Sequence, residues 1–402
     1  MKVLIISQYY PPDMGGGATR AHNMAVGLSR IGCEVTVIAA VPHYPTGVVP
    51  KKYHWKPITQ EYDNNIRVVR TLVPPLQSRG LFRRLLLFVS FVLSSLFAIP
   101  LVGKVDVVWS ANPNITATLS GFVYKKIKRC PLVQNIDDLW PEALYDLGTR
   151  RNSILGRVGE MMARMAYRLA DAITPISPGY SPVIEKKYKK NPDSIYVVPS
   201  GVDSKIHEEY DTSEKDGTTK TVLYIGAFSQ AYDFRQVILA ANELKTNKEI
   251  RFVLQGGGEL DETLRMSRIE YGLHNLEIVS EIVSRTEVAR ILREADILLL
   301  PLAGYDFIER GISSKLYEYQ AAGKPIICCS SGESAKYIER TNSGITVEPG
   351  NYQEIVYSIL KLTEDSQLSS ELGQNGQRYV RENLSLETIA KSMMSIFATV
   401  GK

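Results

Sequence analysis

Residues 2–40 have the sequence KVLIISQYYPPDMGGGATRAHNMAVGLSRIGCEVTVIAA, and this stretch decides the fold class. The apolar run at 2–7 predicts a buried strand, and the proline- and glycine-rich loop that follows ends it. Apolar spacing from Arg20 to Gly32 predicts a helix, and the β-branched run from Glu34 to Ala40 predicts a second strand. A strand, a helix and a strand in this order predict a βαβ unit with parallel strands.

The same alternation continues along all 402 residues, a length that favours two domains. A linker is expected at 199–203 and 208–220, between two series of apolar runs. The sequence therefore predicts an α/β protein with two doubly wound Rossmann-like domains, at 1–199 and 200–380. A C-terminal segment at 381–402 holds a last helix near 386–399, which is expected to pack back toward the N-terminal domain. Ligands are expected in a cleft at the carboxyl ends of the strands. The predicted strands after the first βαβ unit are 106–110, 132–137, 172–176, 195–198, 221–227, 251–254, 276–279, 297–300, 325–329 and 344–347.

Charge is distributed unevenly between the two halves of the chain. The net charge is only +4, but residues 1–200 hold 25 Lys and Arg against 13 Asp and Glu, and the rest hold 22 against 30. A basic half suits an anionic membrane or a nucleic acid. The four cysteines have no metal-ligand spacing and lie in or beside apolar runs, which predicts reduced, buried thiols in a cytoplasmic protein without an export signal.

A basic apolar segment at 79–104 favours the membrane. Residues 85–102 carry no charge and are flanked by Arg79, Arg83, Arg84 and Lys104. The length is borderline for a membrane span, and a span would separate two parts of one sheet, so we reject it. A helix lying in the membrane interface and a fully buried helix both remain open. Nucleic acid is not expected, because no base-stacking aromatics interleave with the arginines. Nearby basic residues that favour an anionic membrane surface are Lys51, Lys52, Lys56, Arg67, Arg70, Arg150 and Arg151.

An anion site is predicted at a helix that begins near Ser313 or Ser314 and ends at Gly323, about three turns later. Unpaired amides, the helix dipole and Lys315 together favour a phosphate there. Glu318 lies one turn further on, where a carboxylate suits ribose hydroxyls better than phosphate. An ordinary surface helix with a Lys315 and Glu318 ion pair is the alternative.

Three other stretches carry candidate ligand contacts. The three glycines that end with Gly16 and Gly17 let the backbone approach a ligand closely, or form a plain tight loop. Arg235, the first cation after the strand that opens the second domain, is placed either to reach a phosphate or to lie on a solvated helix. Asp138 follows a predicted strand, where it serves either a ligand or a helix N-terminus as its cap. No metal is expected, because no histidine or further acid lies close to Asp137 and Asp138 in sequence.

The order of these motifs resembles that of the family 4 retaining glycosyltransferases of GT-B fold, over nearly the whole chain. Further motifs resemble the branch that builds bacterial surface polysaccharides, including N-acetylfucosaminyl transferases; these are PHYPTG ending at Gly47, RRLLL beginning at Arg83 and DLWPE ending at Glu142. The family-wide matches are YPP with GGG at 10–17, GCEVTV at 32–37, VPSGVD at 198–203, ADILLLP at 295–301 and SKLYEYQAAGKP at 314–325.

The resemblance implies a UDP-sugar donor bound mainly by the second domain, a lipid-diphosphate-linked acceptor approached from the first, and neither metal nor cofactor. By position, Lys315 and the amides of Ser313 and Ser314 would hold the diphosphate, and Glu318 would hold the ribose. It further implies sugar transfer in O-antigen or capsule synthesis, with an N-acetylated 6-deoxyhexosamine as the candidate sugar. The enzyme would work in the cytoplasm, peripherally on the inner face of the cell membrane.

The resemblance also implies that Gly16 and Gly17 lie on the donor's phosphate side and that Glu309 contacts the donor sugar. The family commonly has two glutamates eight positions apart, whereas Glu309 here precedes the second glutamate by nine and Arg310 occupies the usual place. The usual basic pair in the first loop of the second domain is absent, which leaves Arg310, Arg235 and the lysine of the helix start as substitutes.

Asp137 occupies the position of the family's frequent histidine, which suits a donor unlike glucose. Asp138 or Glu142 is a candidate base on the acceptor side. Two other functions share the architecture: a UDP-sugar 2-epimerase, which needs carboxylates around the donor sugar and no acceptor groove, and a non-catalytic lipid-binding scaffold subunit, which the missing basic pair suggests.

Overall fold

The structure is a computed structural model. It describes residues 1–44, 46–76, 81–111, 115–142, 145, 150–203, 206, 219–281 and 283–401. The chain divides into two compact units, Met1–Gly201 with Leu386–Lys402, and Val202–Ser385. Arg79 and most of the expected linker at 208–220 lie outside the described residues.

The first unit contains a seven-stranded sheet in the order β3-β4-β2-β1-β5-β6-β7. All neighbours are parallel except β3 and β4, which form an antiparallel pair. The strand order reverses at β1, so that β1 and β5 mark the point where ligands bind in open α/β sheets. The strands are β1 (Lys2–Ile6), β2 (Glu34–Ala40), β3 (Ile58–Asp63), β4 (Ile66–Thr71), β5 (Val107–Ser110), β6 (Leu132–Ile136) and β7 (Ala172–Pro175).

Helices cover both faces of this sheet. Helix α1 begins at Gly16, four residues before the predicted start, because the backbone turns into the helix as soon as Gly15 (φ 105°) leaves the loop. The last helix, α14, packs against α1 within this unit. The other face is covered by α2, α3 and α4, which share one apolar core with the sheet. The helices of this unit are α1 (Gly16–Arg30), α2 (Leu81–Leu96), α3 (Ala117–Lys128), α4 (Ile154–Leu169), α5 (Ser181–Tyr188) and α14 (Leu386–Val400), with short 3-10 turns at Lys51–Tyr53, Ile99–Leu101, Pro178–Tyr180 and Pro192–Ser194.

The expected strand at 195–198 is wrong. Ile195 makes only an isolated bridge with Ile173, and the segment that follows runs on as irregular chain. The β3–β4 hairpin is absent from the sequence prediction. Its second strand carries Arg70, which is 2% exposed and donates to Glu61 at 2.7 Å. Arg70 also donates to the carbonyl oxygens of Tyr10 and Pro11, so it holds the loop after β1 and is not a membrane-facing residue.

Helix α2 is apolar on two opposite sides and only one of them is buried, so it is not the fully buried helix that the sequence left open. Leu87 and Phe91 are fully buried against the core. Leu86 and Leu93 lie on the other side and are exposed, as is Phe97 directly after the helix, by 72%. The helix is therefore both a core element and the carrier of an exposed apolar stripe. Within the described ranges, no helix combines the length and apolar character needed to cross a membrane.

The second unit is an all-parallel, six-stranded sheet in the order β10-β9-β8-β11-β12-β13. This is the strand order of a doubly wound nucleotide-binding sheet, whose switch point lies between β8 and β11. The strands are β8 (Lys220–Ala227), β9 (Ile250–Gly257), β10 (Leu276–Val279), β11 (Ile297–Pro301), β12 (Ile326–Cys329) and β13 (Gly344–Val347). The helices are α6 (Phe234–Glu243), α7 (Asp261–Glu270), α8 (Arg285–Glu294), α9 (Asp306–Glu309), α10 (Ser314–Ala321), α11 (Glu333–Thr341), α12 (Tyr352–Glu364) and α13 (Ser366–Asn383).

All four cysteines are buried and unpaired, two in each unit. Burial raises the pKa of the Cys130 thiol to about 11, and it raises the pKa of Cys328 and Cys329 further still. Such thiols are protonated and unreactive in the folded protein. Among the described residues, no group of three or more histidine, cysteine, aspartate or glutamate side chains is arranged to hold a metal ion.

Candidate functional site

The start of helix α10 presents uncapped amides at the carboxyl edge of the second sheet. Ser313 is the N-cap residue, but its side chain does not bond to the first turn. Its amide already donates to Ser334 Oγ at 3.1 Å, so it is not available to a diphosphate as expected. Within the described chain, the amides of Ser314 and Lys315 have no acceptor. These two amides are the donors that an anion would find here. The helix spans eight residues, about two turns instead of the expected three.

Lys315 points its ammonium group at the end of β8. A β-carbon added to Gly226 would lie 1.9 Å from Lys315 Nζ, so the ammonium occupies the space that a side chain would fill. The ring centroids of Tyr224 and Tyr232 lie 5.7 Å from the same nitrogen. The loop after β8 thus has no basic pair of its own but receives a cation from α10. Electrostatic attraction between the ammonium and the two rings holds this cation in place.

The loop after β8 is fixed to the neighbouring strand β11. The amide of Asp233 donates to the Pro301 carbonyl oxygen at 2.8 Å, and Ala303 donates to Ala231 at 3.0 Å. These bonds position Tyr232 beside the lysine. Gly226 has φ 148°, a backbone conformation that favours glycine. The cation, the tyrosine and the bare glycine backbone therefore meet at the switch point of the sheet.

Glu318 and Lys315 do not form the ion pair that a plain surface helix would have. Glu318 Oε1 lies instead 3.9 Å from Arg285 Nη2. Arg285 opens helix α8 directly after Ser284, whose hydroxyl accepts the Glu287 amide at 3.2 Å. Arg285 has no sequence signal of a site residue, although the capping sequence SRTE at 284–287 predicts a helix start there. The arginine lies beside the carboxylate, one turn away from the amides.

Glu309 has one satisfied and one unsatisfied carboxylate oxygen. Its Oε2 accepts from Ser330 Oγ at 2.7 Å and from the Ser331 amide at 3.0 Å. Its Oε1 is buried and, among the described residues, has no hydrogen-bond partner. A buried oxygen without a donor is costly unless a ligand supplies one. The carboxylate is thus fixed in place with one acceptor available to a hydroxyl group.

The two predicted substitute arginines lie elsewhere. Arg310 pairs with Asp306 at 2.8 and 3.1 Å, across one turn at helix α9, and so braces that helix. Arg235 lies in the first turn of α6, where its amide donates to the cap residue Asp233 at 3.0 Å and its side chain is exposed. Arg310 is thus engaged with Asp306, and Arg235 lies on the exposed side of α6.

In the first unit, Gly16 and Gly17 form the first turn of α1 and not a loop before it. No side chain caps this helix start, and a β-carbon at Gly16 would meet no neighbour within 4 Å. The loop that leads into it is held by the buried Asp13, which accepts from the amides of His43 and Tyr44, both at 2.8 Å. His43 is therefore buried within this loop.

The acidic residues after β6 differ in their surroundings. Asp137 Oδ1 accepts from Asn135 at 2.7 Å and lies 3.8 Å from the buried Arg20 guanidinium. Burial raises the pKa of Asp137 to about 7, although Arg20 opposes the shift. Asp138, the predicted base, is exposed in the loop that follows. Glu142 pairs with Lys187 at 2.5 Å and accepts from Tyr188, so its carboxylate is already committed within the unit.

Comparisons with known proteins agree with this architecture. Residues 14–205 match the family described as Glycosyltransferase Family 4, and residues 205–379 match the family described as Glycosyl transferases group 1. The chain is 22% identical to an uncharacterised glycosyltransferase of Methanocaldococcus jannaschii, over 99% of this chain and 98% of that protein. It is 25% identical to WcaI of Escherichia coli K12, a provisional colanic acid biosynthesis glycosyl transferase, over 69% of this chain and 71% of that protein.

Solved structures share the fold at lower identity. Sucrose-phosphate synthase of Thermosynechococcus elongatus superposes with a TM-score of 0.78 at 17% identity, over 99% of this chain and 98% of that one. HepE of Anabaena, solved in complex with UDP-glucose, superposes with a TM-score of 0.69 at 16% identity, over 99% and 100% of the two chains. The fold and the two family matches define a glycosyltransferase of GT-B fold. The chain belongs to glycosyltransferase family 4.

Proposed function

We propose that the protein transfers a sugar from a UDP-sugar to a lipid-diphosphate-linked acceptor, with retention of the anomeric configuration, in the synthesis of a cell-surface polysaccharide. Two comparisons support the donor and the pathway. HepE, which shares the fold, binds UDP-glucose, and WcaI, which is similar in sequence, is assigned to colanic acid biosynthesis. An N-acetylated 6-deoxyhexosamine is the sugar that the surface-polysaccharide motifs favour.

The contact of Lys315 with Gly226 carries the proposal. A diphosphate at this point would meet an ammonium group, two unbonded amides and the positive end of a helix at the switch point of a nucleotide-binding sheet. Charge-assisted hydrogen bonds to phosphate are about twice as strong as neutral ones. This arrangement neutralises the leaving diphosphate without a metal ion.

The two glutamates supply the remaining donor contacts. Glu318, one turn beyond the amides, is placed to accept from ribose hydroxyls, with Arg285 holding its charge. Glu309 offers its unsatisfied Oε1 to a hydroxyl of the donor sugar while Ser330 and Ser331 hold Oε2. The amides and Lys315 then face the diphosphate, Glu318 faces the ribose and Glu309 faces the donor sugar.

The reaction breaks the bond between the sugar's anomeric carbon and the diphosphate oxygen. The acceptor hydroxyl forms the new bond on the same face, and a diphosphate oxygen of the leaving group receives its proton. The transition state resembles an oxocarbenium ion, so stabilising the charge that grows on the diphosphate lowers the barrier. Lys315 performs this task, and Asp138 is the alternative acceptor of the hydroxyl proton.

The apolar stripe of α2 supports the membrane part of the proposal. Leu86, Val89 and Leu93 are exposed along one side of the helix, with Phe97 directly after it, and a hydrophobic stripe of this kind is typical of interfacial helices. The protein would then act peripherally on the inner face of the cell membrane, where a lipid-linked acceptor is found.

A panel of UDP-sugars and lipid-diphosphate-linked saccharides, with the products identified by mass spectrometry, tests the function. One glycosylated lipid product with an α-configured linkage from an α-linked donor is expected. Interconversion of the free UDP-sugar without an acceptor would favour an epimerase, and failure to bind UDP in calorimetry would favour a scaffold subunit.

A further inference from the structure

Helix α4 carries a second exposed apolar stripe, which no sequence motif indicated. Ile154, Val158, Met161 and Met165 follow one another at helical spacing on its outer side, and Ile154 is 85% exposed and Met161 60% exposed. A stripe of this size on the outside of a helix marks an interaction surface. The inner side of the same helix is anchored in the core through Ala163, so the stripe does not arise from a poorly packed helix.

A basic groove runs along this stripe. It encloses about 810 Å³, and among its lining residues five cations face a single carboxylate, Glu160. The five cations are Arg151, Arg157, Arg164, Arg168 and Lys187. Met161, Met165 and Leu169 line the same groove, so that cations and apolar side chains alternate along one helix.

Most of the positive charge of the groove is not neutralised by the protein. Glu160 accepts from Arg164 at 3.3 Å and from Lys187 at 2.8 Å, and Lys187 also pairs with Glu142, so two carboxylates serve two of the five cations. Arg151 lies over the ring of Tyr145, 4.7 Å from its centroid. Within the described part of the chain, Arg157 and Arg168 make no ion pair with any carboxylate. The groove therefore attracts an anion.

The groove and the stripe of α2 belong to one surface. Helices α2, α3 and α4 pack in this order on the same face of the first sheet, α2 against α3 and α3 against α4. Helix α3, between them, adds the exposed Ile127 and the cation Lys126. Two apolar stripes with cations between them thus cover the outside of a single helical layer.

We infer that the α4 groove binds the phosphate headgroups of anionic phospholipids, so that the helical layer of the first unit docks on a membrane through α4 as well as α2. Arg157 and Arg168 contact the phosphates, while Ile154 and Met161 enter the acyl boundary. Helices that combine basic and apolar side chains in this way bind the surface of an anionic bilayer. Nucleic acid fits less well, because the one aromatic ring in the groove, Tyr145, is already covered by Arg151.

The inference deepens the membrane part of the proposed function, and its test needs neither a sugar nucleotide nor an acceptor. Full-length protein is floated with phosphatidylcholine vesicles that do or do not contain phosphatidylglycerol. The double variant Arg157→Gln/Arg168→Gln should bind the phosphatidylglycerol vesicles at least about tenfold more weakly, since each Lys or Arg near an anionic surface contributes ~1 kcal/mol. Both side chains are exposed, so an unchanged melting temperature is expected.

The matched control, Arg268→Gln/Arg378→Gln, removes the same charge from exposed helix positions in the second unit. It should change vesicle binding by no more than about twofold. Equal losses in the two double variants, or unchanged binding in the first, would overturn the inference. Competition by a single-stranded oligonucleotide that depends on Arg157 and Arg168 and exceeds the vesicle affinity would also overturn it.

Failure of this inference is distinguishable from failure of the proposed function. Sugar transfer to a water-soluble acceptor measures the reaction without a membrane. The groove variant should catalyse this transfer at its normal rate although its binding to vesicles is weakened. Normal vesicle binding without any transfer would count against the proposed reaction alone, and transfer lost in parallel with vesicle binding would assign Arg157 and Arg168 to the reaction instead of the lipid.

Discussion

The ammonium group of Lys315 lies on the bare backbone of Gly226, at the point where a β-carbon would be 1.9 Å from its nitrogen. The cation of the candidate site and the glycine that makes room for it come from two elements, α10 and β8, that are distant in sequence. Lys315 can take this position only because residue 226 is glycine, since a larger residue there leaves no space for the lysine. The first two predictions concern this pair.

Lys315→Ala should weaken UDP binding and sugar transfer by more than about tenfold, because a charge-assisted bond to phosphate contributes roughly 1.5–3 kcal/mol. Isothermal calorimetry with UDP and a transfer assay measure the two effects. Lys361→Ala, at an exposed position on α12, is the matched control and should behave as the unmodified protein. Unchanged affinity in Lys315→Ala would remove the lysine from the site.

Gly226→Ala should displace Lys315 and reduce UDP affinity to a similar extent. The glycine has φ 148°, so alanine adds backbone strain to the collision. Combined with Lys315→Ala, the substitution should show little additional loss, because residues in contact are not additive. Gly103→Ala serves as the control, since a β-carbon there meets no atom within 4 Å. Additive losses would mean that the two positions act independently.

Glu309→Gln should lower kcat at least about tenfold while it leaves UDP affinity within about twofold, because it removes a charged acceptor worth roughly 1.5–3 kcal/mol. Glutamine retains an oxygen for Ser330 and Ser331 but replaces the unsatisfied Oε1 with a donor group. Steady-state kinetics and calorimetry separate the two quantities. A fall in UDP affinity equal to the fall in kcat would place Glu309 on the nucleotide instead of the sugar.

Asp137→Asn should become more stable relative to the unmodified protein as the pH rises. The folded protein retains a proton on Asp137 up to about pH 7, whereas the unfolded chain loses it near the ordinary value of 3.8. As the pH rises between these two pKa values, the free energy of unfolding of the unmodified protein falls. The loss reaches its full size, on the order of 2–4 kcal/mol, above about pH 7. Melting temperatures at about pH 5 and pH 8 measure the difference. Parallel pH profiles of the two proteins would contradict the shifted pKa.

Substitutions at Phe91 and Phe97 should separate the two sides of α2. Phe91 is fully buried, so Phe91→Ala should cost about 3–5 kcal/mol in urea unfolding. Phe97 is 72% exposed, so Phe97→Ala should change stability by less than about 1 kcal/mol but weaken binding to anionic vesicles. Vesicle binding that survives Phe97→Ala unchanged would remove this residue from the membrane surface.

The sequence predicted the alternation of strands and helices well, because apolar runs and their spacing are local properties. Strands β2, β10 and β13 begin and end at the predicted residues. The hairpin of β3 and β4 was not predicted although only residues 64 and 65 join its strands, because polar and charged residues interrupt the apolar pattern of both strands. The buried Arg70 on β4 depends on Glu61 and on the carbonyl oxygens of Tyr10 and Pro11. A buried arginine with distant acceptors has the same local sequence signal as a surface cation.

The candidate site was predictable in part for the same reason. The uncapped helix start, Lys315 and Glu318 lie within one short stretch, and their spacing alone suggested a phosphate and a ribose. The contact of Glu318 with Arg285 joins two helices, and no local pattern could indicate it. The same holds for Glu142, a candidate base in sequence whose carboxylate is occupied by Lys187.

Chemical labelling of the four buried cysteines can report local opening of the folded protein. Cys33 and Cys130 lie in the first unit, and Cys328 and Cys329 lie on β12 of the second. A thiol-modifying reagent added to the native protein can label each pair only when its own unit opens. Mass spectrometry of peptides after timed labelling would therefore give a separate opening rate for each half of the chain, with no engineered probe.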